Sequence, residues 1–158
     1  MNQKIISVIG GSGFIGNYLV DQLLETGYYV KIISRNSRAK KNFYPSGKLG
    51  QYSLINCNIC DEKKLETVIE GSFCVINLVG VLEDKKKNSF NSAHIKGSES
   101  IMKSCKKHNT QKLIHISAIG VDKNKISKYA ITKLKAEKNI KKVQNSIIIR
   151  PSIVFGYE

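Results

Sequence analysis

The sequence predicts an α/β fold: a doubly wound parallel sheet in three layers, α/β/α. Three observations predict it. Strand-like apolar runs alternate with helix-like runs six times along the 158 residues. The run Phe73 to Val81 (FCVINLVGV) is apolar almost throughout, as a strand covered on both faces must be. The first strand, Ile5 to Ile9, feeds a glycine-rich turn that opens directly into an amphipathic run, Phe14 to Leu24.

The remaining elements follow in order. Tyr28 to Ser34 reads as a second strand, and Asn36 to Gln51, with Pro45, Gly47 and Gly50, as a connection with room for a short helix. Ser53 to Ile59 reads as a third strand. Asp61 then caps a helix over Glu62 to Glu70. Phe73 to Val81 is the fourth strand, and Lys85 to Asn88 a polar loop. A helix over Ser89 to His108 turns Ile95, Ile101, Met102 and Cys105 inward. Lys112 to Ser117 is the fifth strand, Ile126 to Val143 a helix, and Ser146 to Arg150 a sixth strand that ends at Pro151. No internal repeat breaks the series, so residues 1–158 are expected to form one domain.

Ligands of such sheets sit at the carboxyl ends of the strands, and the chemistry-bearing residues cluster there. In Gly10-Gly11-Ser12-Gly13-Phe14-Ile15-Gly16, Gly10 allows a sharp turn and Gly13 lets backbone approach a bulky group. Gly16 lets helix pack on strand, and the helix N-terminus offers N–H groups to an anion. This is the pattern of a dinucleotide pyrophosphate cradle. At the end of the second strand an Asp or Glu would bind an adenosine ribose and repel a 2′-phosphate. The chain has Ser34, Arg35 and Arg38 there instead. Two guanidiniums and a hydroxyl favour NADP(H) over NAD(H), the plain alternative being solvated loop arginines. Asn58 and Ile59 could bracket an adenine, unless Asn58 is simply a turn residue. Leu78, Val79 and Gly80 could run close to a ribose. Tyr129 and Lys133 share a helix face, where an ammonium beside a phenol would lower the phenol pKa and make it an acid/base.

Composition narrows the partners. The formal net charge is +14, but only three of the 26 basic residues are arginine (Arg35, Arg38 and Arg150), and the lysine excess reads as a solvated surface. Nucleic-acid readers lean on arginine and exposed aromatics, which argues against that partner. An anionic membrane surface remains open. The four cysteines lie in apolar runs and are expected to be reduced. Cys57 and Cys60, placed on the third strand, lack the second pair of a zinc site, and no metal is expected. No apolar run is long enough to span a membrane. The short charged start leads straight into a strand, so the expected location is cytoplasmic.

Gly10-x-x-Gly13-x-x-Gly16, Asn77-Leu78-Val79-Gly80, His115-Ile116-Ser117-Ala118, Tyr129-x-x-x-Lys133 and Arg150-Pro151-Ser152-Ile153-Val154-Phe155-Gly156 together resemble the extended short-chain dehydrogenase/reductase superfamily. More narrowly, they are similar to its atypical branch, which includes a dehydrogenase-like accessory subunit of respiratory complex I and bacterial relatives. The resemblance implies a Rossmann fold and a nicotinamide cofactor. For the narrow branch it implies NADP(H) held tightly with little turnover, and association with a respiratory complex or with the inner face of a membrane. It implies cofactor contacts from Ile116, Pro151, Ser152 and Ile153 as well. In an active reductase or nucleotide-sugar epimerase/dehydratase, it gives Tyr129 the acid/base role, Lys133 the support of that role, and Ser117 the substrate oxygen. The chain departs from active members in following Ser117 with Ala118-Ile119, in a short segment between Ser117 and Tyr129, and in placing His94 where the family often has an asparagine serving a proton-relay water. The family pattern also continues into a substrate lobe, so the chain is expected to be the cofactor-binding part of a longer pattern.

Overall fold

A computed structural model describes residues 3–35, 44–84, 89–124 and 126–156. Six parallel strands form one sheet in the order β3-β2-β1-β4-β5-β6. In chain order the elements are β1 (Ile5–Ile9), α1 (Phe14–Glu25), β2 (Tyr29–Ser34), β3 (Tyr52–Asn56), α2 (Glu62–Ile69) and β4 (Cys74–Asn77). A π-helical stretch, Asn91–Lys96, then runs into α3 (Gly97–Lys107), followed by β5 (Lys112–Ile116), α4 (Lys128–Ile140) and β6 (Ser146–Ile149). This is the three-layer, doubly wound arrangement of the Rossmann fold.

The two faces of the sheet build two cores. Ile6, Val8, Val30, Ile32 and Ile76 meet Val20 and Leu24 of α1 on one side. On the other, Ile9, Ile33, Val75 and Leu113 meet Leu65 and Ile69 of α2, Ile101 and Cys105 of α3, and Ile140 of α4. Side chains alternate along a strand, so Ile148 packs on the second core while Ile147 and Ile149 point to the α1 side. Beyond the reach of α1 nothing among the described residues covers them, and they stay 49% and 45% exposed.

Several elements are shorter than their apolar runs. β3 stops at Asn56, so Cys57, Asn58, Ile59 and Cys60 lie beyond the sheet; Cys57 and Ile59 are buried, and Cys60 is an exposed free thiol. β4 stops at Asn77 because its carboxamide Oδ1 accepts the Val79 N–H at 3.0 Å and turns the chain. Asp61 does cap α2, accepting from Lys64 N. α4 starts at Lys128, with Ser127 as its cap. No helix among the described residues is long and apolar enough to cross a membrane.

Candidate functional site

The turn after β1 has no room for a side chain at Gly10 or Gly16. Gly10 has φ +86°, and a Cβ there would lie 3.3 Å from the backbone of Leu78 and Val79. Its N–H donates to Ile33 O at 2.8 Å, and Gly13 N–H returns to Gly10 O at 2.9 Å. A Cβ on Gly16 would stand 2.5 Å from the carbonyl oxygens of both Gly10 and Gly11, so the first turn of α1 rests directly on the loop. Gly13 occupies the cap position and no side chain bonds the first-turn N–H groups. A bare, positively polarised helix end is therefore held at the mouth of the sheet. Gly11 and Ser12 are buried beneath it, while the half-buried Phe14 packs edge to face on Tyr18 and is closed over by Gly156. Ile15, next along, is half-buried.

Beside this turn lies the end of β2. Ser34 has a buried hydroxyl with no hydrogen-bond partner among the described residues, and Arg35 beyond it is exposed. Arg38 lies outside the described residues. Asn58 spends its side-chain oxygen on Cys60 N–H at 3.0 Å, and Ile59 packs inward on Gly97, within 3.0 Å of where a Gly97 Cβ would sit. Burial raises the Cys60 thiol pKa, while the charges of Lys96 and Arg35 oppose that rise, so both cations lie close by.

The ends of β4 and β5 form the opposite wall with α4. Leu78 N–H donates to Ile9 O at 2.9 Å, and Gly80 is exposed at the rim. A Cβ on Gly80 would lie 3.5 Å from Lys133 Nζ, which donates to Ile116 O at 2.9 Å. Lys133 is only 3% exposed; burial pulls its pKa down to about 8, against a rise from Glu137. Tyr129 is half-buried, and burial raises its phenol pKa. The expected lowering by Lys133 does not occur here, because that ammonium turns to Ile116 rather than to the phenol. Tyr129 instead packs against Phe90 and His94, whose rings stack 5.5 Å apart. His94 bonds Thr132 Oγ1 at 2.9 Å, and burial followed by Lys133 lowers its pKa to about 4.

Ser117 is buried, its N–H donating to Ile149 O, and its hydroxyl lies near the Glu137 carboxylate without a close partner. Glu137 is fully buried. Arg150 grips it bidentately, Nε to Oε1 at 2.8 Å and Nη2 to Oε2 at 2.7 Å, and reaches Asp122 at 3.0 Å with Nη1. Burial would raise the Glu137 pKa, but the Arg150 hydrogen bonds and charge more than offset it. Pro151 O accepts Ile119 N–H at 3.0 Å, and Ser152 and Ile153 continue exposed along the rim.

The structure thus places the glycine turn, Leu78 to Gly80, Ile116, Lys133 and Pro151 along the carboxyl edge of the sheet. It turns Ile59 and the Ser117 hydroxyl inward. Sequence reasoning missed Glu137, and it quoted Asn77 and His115 within motifs without giving either a role. Glu137 did carry a signal: it continues the four-residue spacing of Tyr129 and Lys133, and Arg150 is a rare arginine in this chain.

Residues 7–147 match the 3-beta hydroxysteroid dehydrogenase/isomerase family. The NADH-ubiquinone oxidoreductase 40 kDa subunit, mitochondrial, of Neurospora crassa is 29% identical over 153 residues, 96% of this chain and 41% of that protein. The NADH dehydrogenase [ubiquinone] 1 alpha subcomplex subunit 9, mitochondrial, of Dictyostelium discoideum is 30% identical over 98% of this chain and 43% of its own length. The chain therefore spans less than half of these relatives. Among solved structures, the Bordetella bronchiseptica enzyme WbmG in complex with NAD superposes with a TM-score of 0.79 at 16% identity, over 94% of this chain and 53% of that one. A UDP-N-acetylglucosamine 4-epimerase from Methanobrevibacter ruminantium superposes at 0.77 with 23% identity, over 95% and 55%. These two likenesses concern the fold.

Proposed function

The chain belongs to the 3-beta hydroxysteroid dehydrogenase/isomerase family, and on that premise we propose that it is a nicotinamide-dinucleotide-binding domain that holds NADP(H) in preference to NAD(H), within a protein related to the respiratory NADH-ubiquinone oxidoreductase subunits. The observation that carries this reading is the uncapped N-terminus of α1 seated closely on a turn in which Gly10, Gly13 and Gly16 carry no side chain. Such an end suits a pyrophosphate. Lys133, against Gly80 on the wall opposite the glycine turn, suits the nicotinamide ribose, and Ser34 with Arg35 and Arg38 suits an adenosine 2′-phosphate. When bound, the cofactor would supply hydride chemistry. The chain's own residues bind and orient it.

A holding role fits better than turnover. The Ser117 hydroxyl is buried toward Glu137, and the Tyr129 phenol is pushed to higher pKa rather than lower. The reductase or epimerase/dehydratase reading, with Tyr129 as acid/base, requires Lys133 to leave Ile116 O and meet the phenol. By the same relationship its place is beside a respiratory complex at the inner, cytoplasmic-type face of a membrane. Titration of the purified chain with NADPH and NADH tests the reading. NADPH is expected to bind more tightly, with Arg35→Ala weakening NADPH and leaving NADH unchanged. Equal affinities, or no binding of either, would sink it. A turnover with any substrate that Tyr129→Phe abolishes at unchanged cofactor affinity would transfer the assignment to the enzyme reading.

A further inference from the structure

A fully buried carboxylate such as Glu137 is tolerable only when its oxygens are satisfied. Arg150 satisfies both. Glu137 also lies one helical turn beyond Lys133, and both are buried on the inner flank of α4. Buried opposite charges at that spacing are natural partners, yet no ion pair joins them. Lys133 donates to Ile116 O and faces Gly80, while Glu137 turns to Arg150. Arg150 in turn leaves β6 immediately before Pro151 and holds Asp122 in the loop ahead of α4. One guanidinium thus ties together the end of β6, the loop after β5, and α4.

We propose that Arg150 is a positioning residue of the cofactor cleft: by holding both oxygens of Glu137 it keeps that carboxylate from capturing Lys133, and so leaves the Lys133 ammonium facing Gly80. The role rests on reading the cleft as a nicotinamide-dinucleotide site. The groups around Lys133 make Glu137 the competitor. His94 of the π-helical stretch and His115 of β5 are both held neutral at ordinary pH, with pKa values lowered to about 4. Tyr129, one turn earlier on α4, has its phenol pKa raised and stays neutral. Asp122 is exposed and already on Arg150. That leaves the Glu137 carboxylate, which Arg150 keeps ionised, as the anion within reach of Lys133.

The test uses the full chain with Arg150→Met, Glu137→Gln and the double variant. NADPH affinity is followed by nucleotide fluorescence, and the Lys133 titration by the 13Cε shift of the lysine side chain. Arg150→Met is expected to weaken NADPH about tenfold and to raise the Lys133 midpoint above its value near 8. The double variant, with no carboxylate to capture the lysine, is expected to return to within about threefold of the parent and to bring the midpoint back down. A purely structural role predicts that the double variant stays as weak as Arg150→Met. That result, or a Lys133 midpoint unmoved by Arg150→Met, overturns the proposal. Should Arg150→Met not fold, Arg150→Lys makes the same comparison, since it keeps the charge and loses the fork; it is expected to lose less affinity and to be rescued by Glu137→Gln. A parent chain that binds no nucleotide, but whose Lys133 midpoint still rises in Arg150→Met, would overturn the cofactor reading and leave the capture argument standing.

Discussion

Asn77 and His115 are joined across β4 and β5 by a hydrogen bond whose direction is fixed. Asn77 Oδ1 already accepts Val79 N–H at 3.0 Å, so its Nδ2 must donate to His115 Nδ1 at 2.9 Å. The ring therefore carries its proton on Nε2, which has no partner among the described residues. Asn77 is 1% exposed and joins two strands while ending one of them. Replacing it with alanine leaves the Val79 N–H and the ring nitrogen unsatisfied. We expect a loss of about 2 kcal/mol in stability, read as a lower urea midpoint at unchanged slope. A midpoint equal to the parent's would show that the bridge contributes nothing.

The same ring makes stability depend on pH. Burial, then Lys133, lowers His115 to about 4, and His94 is lowered to about 4 by the same two causes in the same order. The unfolded chain binds these protons near 6.5, so between about 6.5 and 4 it holds more protons than the folded chain. Stability is full above that window and falls as pH drops through it. The expected slope is about 1.4 kcal/mol per pH unit for each histidine. Urea unfolding at steps from pH 7.5 to 4.5 measures it. Stability unchanged across those steps would contradict the buried neutral rings.

Gly16 and Gly27 separate two kinds of glycine requirement. A methyl at Gly16 meets backbone oxygens at 2.5 Å that belong to the turn itself and cannot swing aside. Gly16→Ala is expected to cost about 3 kcal/mol and to abolish nucleotide binding. Gly27 has φ +87° with open space around it, so Gly27→Ala should cost about 1 kcal/mol through backbone strain and leave binding intact. Thermal unfolding with a nucleotide titration on each variant distinguishes the two, and a binding-competent Gly16→Ala would contradict the seating of α1 on the turn.

Thiol chemistry offers an independent check on burial. Cys57, Cys74 and Cys105 are buried, and burial raises the thiols of Cys74 and Cys105 to about 11 and about 12, whereas Cys60 is exposed. Alkylation at pH 8 should modify Cys60 quickly and the other three only at the rate of unfolding. Mass mapping of the labelled sites reads this directly. Early labelling of Cys57 would show that the segment after β3 is not packed as described.

The glycine turn was legible because its logic is local: strand, turn and helix start follow one another in the chain. Element ends were not, because tertiary contacts set them. The apolar run through Val81 gives no hint that the Asn77 side chain turns the chain out of the sheet. Spacing put Tyr129 and Lys133 on one face of α4, but only the position of Ile116 O shows where the ammonium goes. Glu137 continues that spacing, but nothing near it in the sequence reveals that β6 delivers Arg150 to it.

The strand order has a consequence for how the chain is made. Of the six strands β1 is synthesised first, yet it lies inside the sheet between β2 and β4, with its register set by both. On the ribosome it can gain β2 early, but its other edge stays open until the chain has grown past Asn77. At roughly 5–20 residues per second that interval lasts a few seconds. Through it Ile6, Val8 and Ile9 present an unfinished edge to nascent neighbours, so the step most exposed to mispairing comes while the second half of the sheet has yet to be translated.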